Sequence, residues 1–378
     1  MPSGSLNKGE WGELYVFLRL VGDGLLTLSD AREVATEGPS LEIIEVIRKE
    51  TADRTVTYTL DGSDVDVYVD GEYHTTRPRS DFSARASEVL AYVLDHSGSR
   101  TLDIPESLRS FLDGTEVQHY KASAASKSDI WLTTRDPRTG TVMEGVGYSV
   151  KTKWARRSTL FNTGSGSRSI YIIEGMNNDT EADLINSIVD AKGNADVKGR
   201  MGRILENGYS LIFDGYTTDK RTGVQIFPNN CSYISDSVPE MWRTVVMEHF
   251  LDNAFSGSHR SMEDVCEWLA HANPCRIPYR PEDKYRVFLK NFLFSAYCGL
   301  TASKYWDGVS DVNGGLIVVK ADGDVVAFTS LDSATFRDYL FNNCSMDWPS
   351  TSRGHGDYGT VYREDGVYKI ALNFQIRF

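Results

Sequence analysis

Two extended segments meet across a short turn near the middle of the chain, and they demand a sheet at the centre of the molecule. Asp129-Ile-Trp-Leu-Thr-Thr134 is rich in β-branched and aromatic residues, Asp136-Pro-Arg-Thr-Gly140 carries turn chemistry, and Val142 to Lys153 returns as a second strand. Strand side chains alternate between faces. Ser149, Lys151 and Lys153 therefore share one face of the returning strand, and Tyr148 and Val150 share the other.

Helical and extended patterns surround this pair. Trp11, Leu14, Tyr15 and Leu18 recur at helical spacing behind an Asn7–Glu10 capping-box pattern. A helix is predicted over Ser40 to Lys49. A hairpin follows, with strands Thr55 to Leu60 and Val65 to Val69 turning at Asp61-Gly62, and then helices near Ala84 to Asp95 and Pro105 to Leu112. Ser158 to Ser169 reads as a Gly/Ser/Thr-rich loop, Ile170 to Glu174 and Ser210 to Phe213 as strands, and Glu181 to Ala191 and Val197 to Glu206 as helices. Apolar stripes over Met241 to Phe255, Met262 to Ala272 and Pro281 to Cys298 make the next region mainly helical. The chain closes with a hairpin from Leu316 to Thr329, a helix over Asp332 to Phe341 and a hairpin over Tyr362 to Phe378. The expected class is α+β (α/β): a mixed central sheet flanked by helices, a helical middle region and a C-terminal β-hairpin region. A soft boundary divides residues 1–235, with the strand pair, from residues 236–378.

Composition narrows the function. Hydrophobic residues at 40% and charged residues at 25% are ordinary for a globular chain, and 378 residues suffice for one large or two modest domains. A net charge of -13 argues against a protein that coats nucleic acid without sequence preference, though a site-specific enzyme needs only a local basic channel. The five cysteines are widely spaced, with no CxxC, and read as free thiols in a reducing compartment. No stretch is long and apolar enough for a membrane span and no signal pattern opens the sequence, so a cytoplasmic protein is expected. His249 and His271 sit in apolar helical runs and read as packed residues. The sequence holds no GxxxxGK[ST], which argues against an ATP-driven enzyme.

The strand pair carries the chemistry that phosphodiester hydrolysis requires: carboxylate oxygens for a divalent metal and a cation beside the phosphate. Asp129 starts one strand, and Ser149 and Lys151 lie two apart on the other. The common arrangement has a carboxylate at the position of Ser149, so a second acid must come from elsewhere. Glu13 on the first helix is the leading candidate, since Glu10 already has a capping role and Gly12 permits close approach of another element. Glu144 is a third option, provided a bulge near Gly145 or Gly147 reverses the alternation. An Asp followed by Ser-x-Lys is by itself a pattern many strands carry.

Five motifs in order add to it. Asn7-Lys-Gly-Glu-Trp-Gly-Glu-Leu-Tyr15, Lys127-Ser-Asp-Ile130, Gly147-Tyr-Ser-Val-Lys-Thr-Lys153, Ser158-Thr-Leu-Phe-Asn-Thr163 and Leu372-Asn-Phe-Gln-Ile-Arg-Phe378 resemble the HpaII-type restriction endonucleases from one end of the chain to the other. The resemblance implies a PD-(D/E)xK-like nuclease core and Mg2+-dependent cleavage of duplex DNA at the palindrome CCGG. It also implies pairing with a methyltransferase that protects host DNA. A serine at the position of Ser149 is similar to what that family shows. On this reading Asp129 and Glu13 hold the metal, with the Val150 carbonyl as a further donor. Lys151 steadies the water or the phosphate, and Ser149 hydrogen-bonds a metal-bound water.

DNA contacts are expected from the basic cluster that follows the catalytic strand, Lys153, Arg156 and Arg157, with Lys192 to Arg203 as a second basic zone. Asn162 to Arg168 is a candidate phosphate-wrapping segment. Base edges are expected to meet Arg353 and His355 in a Gly-rich loop and the polar face of the terminal strand, Asn373, Gln375 and Arg377, whose apolar face anchors in the core. An ordinary exposed edge strand explains that last pattern as well. A palindromic target makes a homodimer natural. The competing readings are a nuclease of the same core that requires modified cytosine, a DNA-binding protein with a silent core, and a protein-binding module.

Overall fold

In the computed structural model, residues 5–36, 40–120, 128–154, 157–309, 312–351 and 358–378 are described. The fold is mixed α+β and divides into two compact units, Met1–Ser158 with Ser310–Tyr339, and Thr159–Val309 with Leu340–Phe378. The expected single cut near residue 235 is not how the chain clusters. Residues 159–235 group with the later part, and a late hairpin returns to the first unit.

The first unit opens with β1 (Ser5–Asn7), α1 (Lys8–Asp23) and β2 (Leu25–Leu26). Four meandering strands follow: β3 (Leu41–Thr51), β4 (Arg54–Asp61), β5 (Asp64–Val69) and β6 (Glu72–Pro78). Next come α2 (Arg79–Asp95), β7 (Thr101–Asp103), α3 (Glu106–Asp113), β8 (Ile130–Arg135) and β9 (Val142–Thr152). After the excursion into the second unit, β13 (Gly315–Val319), β14 (Val325–Thr329) and the start of α10 (Ser333–Asn343) complete it. The nine-stranded sheet runs β14-β13-β9-β8-β3-β4-β5-β6, with β2 paired to β3. All its pairings are antiparallel except β13 on β9, where Leu316 lies beside Ser149 and Val318 beside Lys151.

In this unit one predicted helix is a strand. The segment expected as a helix over Ser40 to Lys49 is β3. Its side chains Leu41, Ile43, Val46, Arg48 and Glu50 are buried. Its register against β8 slips between Ile43 and Glu45, so one extra residue is accommodated there. That bulge breaks the period of two, while Ile43, Ile44, Val46 and Ile47 supply the β-branched content that suits a pleated surface.

α1 behaves as its pattern predicts. Asn7 Oδ1 accepts from Gly9 N and Glu10 N, and Glu10 Oε2 accepts from Asn7 N at 2.7 Å, completing the capping box. Trp11, Leu14, Tyr15 and Leu18 are buried against the sheet, where Phe17 meets Tyr58 edge-on. Each such side chain contributes about 1.5–3 kcal/mol by leaving water.

The second unit carries β10 (Thr159–Phe161), β11 (Ser169–Glu174), α4 (Asp179–Asn186), α5 (Val197–Glu206) and β12 (Ser210–Tyr216). The helices α6 (Ile226–Ser232), α7 (Ser237–Asp252), α8 (Met262–Ala272) and α9 (Pro281–Cys298) follow. The chain then ends in β15 (Ser345–Asp347), β16 (Val361–Glu364), β17 (Val367–Leu372) and β18 (Gln375–Arg377). Its two sheets are ordered β12-β11-β17-β16 and β10-β18-β15. The Gly/Ser-rich segment read as a loop thus contributes strand β10, and the closing hairpin is β16–β17, with β18 in the other sheet. The core is aromatic. Phe374 stacks on Trp242 at 4.7 Å and on Phe161 at 5.3 Å, and Phe292 closes on both of those rings.

Candidate active site

The site forms where β8 ends and β9 continues. Ile130 is paired with Tyr148, and Asp129 N donates to the Tyr148 carbonyl at 2.8 Å. Beyond this point β9 has lost its neighbour on the β8 side, so the Val150 N–H needs another acceptor. The Asp129 carboxylate takes it, with Oδ2 at 2.6 Å from Val150 N. The same oxygen accepts from Ser149 Oγ at 3.1 Å. Lys151 Nζ in turn donates to Ser149 Oγ at 3.1 Å and to the Val150 carbonyl at 3.2 Å. Asp129, Ser149 and Lys151 are thus one connected cluster, as the strand pair predicts. Ser149 is buried, donates to the acid and accepts from the ammonium, which fixes its hydroxyl rotor.

Alternation is maintained over the last part of β9, from Tyr148 on. Tyr148 and Val150 lie in the core with Trp11 and Tyr15, the Tyr15 and Trp154 rings are 5.2 Å apart, and Gly12 lies against Thr152. A Cβ at position 12 would come within 2.9 Å of Thr152 Cβ, so the glycine is what lets α1 approach β9. Glu13, one residue along, is therefore level with the end of β9 but on a helix that packs against the Tyr148 side of the sheet. Glu10 is the capping partner of Asn7. At Glu144 the required bulge exists. Leu132 pairs with Val146 and Thr134 with Met143, and Gly145 sits at φ 56°. The exposed Glu144 is five residues from Ser149, roughly 16 Å along a strand, too far to share an ion with Asp129.

Among the described residues no group of three His, Cys, Asp or Glu side chains is arranged to hold a metal ion. The donors beside Lys151 still suit Mg2+, which keeps several waters and takes one or two carboxylates plus substrate phosphate. Asp129 offers Oδ1, which no donor among the described residues reaches. The Val150 carbonyl already faces a positive charge, the Lys151 ammonium.

With this geometry in view, comparison with known proteins identifies the chain's relatives. The pattern describing the HpaII restriction endonucleases matches residues 7–378. The chain belongs to the HpaII restriction endonuclease family. The Type II restriction enzyme HpaII of Haemophilus parainfluenzae is 29% identical over 374 residues, 98% of each chain. No solved structure matches. Members of a restriction endonuclease family act on DNA, and the mixed α+β fold with its nine-stranded sheet is consistent with a PD-(D/E)xK-like nuclease. No helix among the described residues is long and apolar enough to cross a membrane.

The candidate DNA-contacting residues of this family member separate into distinct environments. Arg156, Arg353 and His355 lie outside the described residues. Lys153 and Arg157 are exposed, and Lys153 is paired with Glu33. Asn162 is exposed, whereas the segment after it forms a packed turn. A Cβ on Gly166 would strike the Ala302 carbonyl, and Ser167 Oγ donates to Asn373 Oδ1 at 2.8 Å. Arg168 is half-buried behind that turn. The terminal strand keeps its apolar anchor, with Leu372, Phe374 and Ile376 buried. Its polar row is not an exposed edge, because β18 lies between β10 and β15. Asn373 is 1% exposed and Gln375 is 6% exposed, the latter donating to Asp347 Oδ2 and the Trp348 carbonyl. Arg377 is half-buried on Asp347 and Thr159. In the second basic zone Arg200 turns inward onto the carbonyls of Asn186, Ile188 and Gly359. Sequence reasoning missed Glu33 and Asn313, whose Oδ1 accepts from Gly147 N at 2.8 Å. Asn313 meets β9 and Glu33 meets Lys153 just past it, each across more than a hundred residues, and no local pattern signals either.

Proposed function

We propose that this restriction endonuclease hydrolyses both strands of duplex DNA at CCGG with Mg2+, working as a homodimer alongside a methyltransferase that protects the same sequence. The observation that carries the reading is the Asp129–Ser149–Lys151 cluster on adjacent strands, in a chain that matches the family almost end to end. The resemblance to the HpaII-type enzymes is the ground for the choice of target.

Asp129 and the Val150 carbonyl are the donors this chain offers a cation, and Glu13 is the proposed second carboxylate. A bound Mg2+ supplies a water of lowered pKa and neutralises charge on the phosphate. Lys151 binds a non-bridging oxygen of the scissile phosphate, exchanging the Val150 carbonyl for the stronger charge-assisted partner. Ser149 holds the inner face of the Asp129 carboxylate, and the Val150 N–H holds the same oxygen, so Oδ1 stays turned outward. Water then adds in line at phosphorus and gives up a proton to solvent, while the P–O bond to the departing sugar oxygen breaks and that oxygen takes up a proton from solvent.

The test is digestion of an unmethylated plasmid with Mg2+, beside an EDTA control and a CpG-methylated copy. Fragments ending at CCGG and absent in EDTA are expected. Cleavage of the methylated copy alone would replace this reading with a modified-base nuclease. Salt-dependent duplex binding without any cleavage would replace it with a binding protein. Lys151→Ala and Asp129→Ala are expected to abolish cleavage with melting behaviour intact, and full activity in either would remove the site. Glu13→Gln is expected to raise the Mg2+ concentration needed for half-maximal cleavage. An unchanged requirement would take Glu13 out of the metal site.

A further inference from the structure

An acidic residue that no sequence pattern singles out meets the chain just past the end of β9. Glu33 Oε2 accepts from Lys153 Nζ at 2.6 Å, and Glu33 Oε1 accepts from the Tyr339 hydroxyl at 2.7 Å. Tyr339 is buried and stacked on Phe328 at 3.8 Å, so its hydroxyl is held by a rigid ring. The backbone that presents Glu33 is equally constrained. Asp30 Oδ1 accepts from Arg32 N and Val34 N, the Asp30 carbonyl accepts from Glu33 N, and Glu33 itself adopts φ 64°. A left-handed conformation at a glutamate costs free energy, and such strain persists only where the surroundings hold it. The Glu33 side chain is 13% exposed and that of Lys153 is 43% exposed, so the carboxylate is sheltered while the ammonium opens to solvent. Lys153 follows Lys151 by two residues, in the turn just past the end of β9, close in the chain to the proposed site.

We infer that Glu33 is a positioning residue for Lys153, holding the ammonium as a preset anchor for a DNA backbone phosphate beside the one that is cut. This rests on the DNA-cleaving reading above. Lysine has three N–H donors, and one directed at Glu33 leaves the others for a phosphate. A free lysine loses rotamer freedom when it clamps a ligand, whereas one already clamped loses less, and the difference appears as affinity. Tyr339 keeps the carboxylate from following Lys153 toward the phosphate, where it would repel.

The test is a double-mutant cycle, read as binding of a CCGG duplex in EDTA across a salt series and as Mg2+-dependent cleavage. Lys153→Met should weaken binding and reduce the log–log salt slope by about 0.9, the signature of one lost phosphate contact. Glu33→Gln should weaken binding about three- to tenfold with the salt slope kept, and raise KM while leaving kcat unchanged. The double variant should bind no worse than Lys153→Met alone. Tyr339→Phe, which removes only the hydroxyl, should reproduce part of the Glu33→Gln effect, and it provides the cycle if Glu33→Gln fails to fold. Full additivity, an unchanged slope in Lys153→Met, or tighter binding by Glu33→Gln would each overturn the inference while the wild type still cuts. A wild type that neither binds nor cuts duplex DNA would overturn the functional reading itself.

Discussion

Ser149 shows how much of the site a hydroxyl can supply. It donates to Asp129 Oδ2 at 3.1 Å, but Val150 N holds the same oxygen at 2.6 Å and belongs to the backbone, beyond the reach of substitution. A hydrogen bond to a charged group is worth about 1.5–3 kcal/mol, and part of that is retained when a second donor stays in place. Ser149→Ala is therefore expected to cost about tenfold in kcat, far less than Asp129→Ala. Equal loss in the two variants would mean that the hydroxyl does more than hold the acid. Another single side chain sets a pH response in the second unit. His249 is buried and stacked on Trp348 with ring centroids 3.4 Å apart, and its Nδ1 has no partner among the described residues. Burial, and then the charge of Lys198, push its pKa down to about 3. The unfolded value is about 6.5. Between those values the unfolded chain takes up a proton that the folded state refuses. The contribution is thus complete above the unfolded value and is lost as pH falls toward the folded one. Melting curves from neutral pH down to about pH 5 should therefore fall more steeply for the wild type than for His249→Gln, and parallel curves would contradict this origin.

At the scale of elements, the α1–β9 contact makes a prediction whose sign is informative. Glycine to alanine within a helix normally stabilises by about 0.5–1 kcal/mol. At Gly12 the added methyl meets Thr152 Cβ at 2.9 Å and Cγ2 at 3.0 Å, and overpacking costs about 1–3 kcal/mol. Gly12→Ala should lower the melting temperature. Gly202→Ala in α5, where nothing lies within 4 Å of the new Cβ, should raise it. A gain at both positions would show that α1 can shift away from β9 freely. The same elements show what was legible in the sequence and what was not. β8, β9 and α1 could be read because their signals are local: alternation flanking an Asp-Pro turn, and an Asn–Glu capping box before an apolar stripe. β3 was misread because its bulge at Ile44 destroys the period that identifies a strand. The β13–β14 hairpin was legible as a hairpin, but its parallel docking on β9 was not, and that pairing is what draws residues 310–339 into the first unit. Asp129 and Lys151 could be found because a turn joins their strands. Glu33 could not, since 120 residues separate it from Lys153, and the burial of Asn373 depends on Ser167, 206 residues away.

For the whole molecule, charge and symmetry decide how a chain of net charge -13 engages a polyanion. Such a surface repels DNA except where cations gather, and Lys151, Lys153 and Arg157 gather within seven positions at the end of β9. Affinity should then depend on a few local phosphate contacts and fall steeply with salt, with little residual binding to non-specific duplex. On the proposed reading the Asp129–Ser149–Lys151 cluster of one chain serves one scissile phosphate, while a palindrome presents the same phosphate on each strand, related by a twofold axis. A homodimer with matching symmetry places one cluster on each strand at once. Sedimentation with a short CCGG duplex should therefore give two chains per duplex, and supercoiled plasmid should pass to linear product with little nicked circle. At enzyme concentrations below those needed for dimerisation, the cleavage rate should rise with the square of concentration. A one-to-one complex, with nicked circles accumulating and a rate linear in enzyme, would instead require each chain to release the duplex and rebind it in the opposite orientation for the second strand. In that case the basic cluster of a single chain would have to supply all the affinity, and Lys153→Met would slow the second cut more than the first.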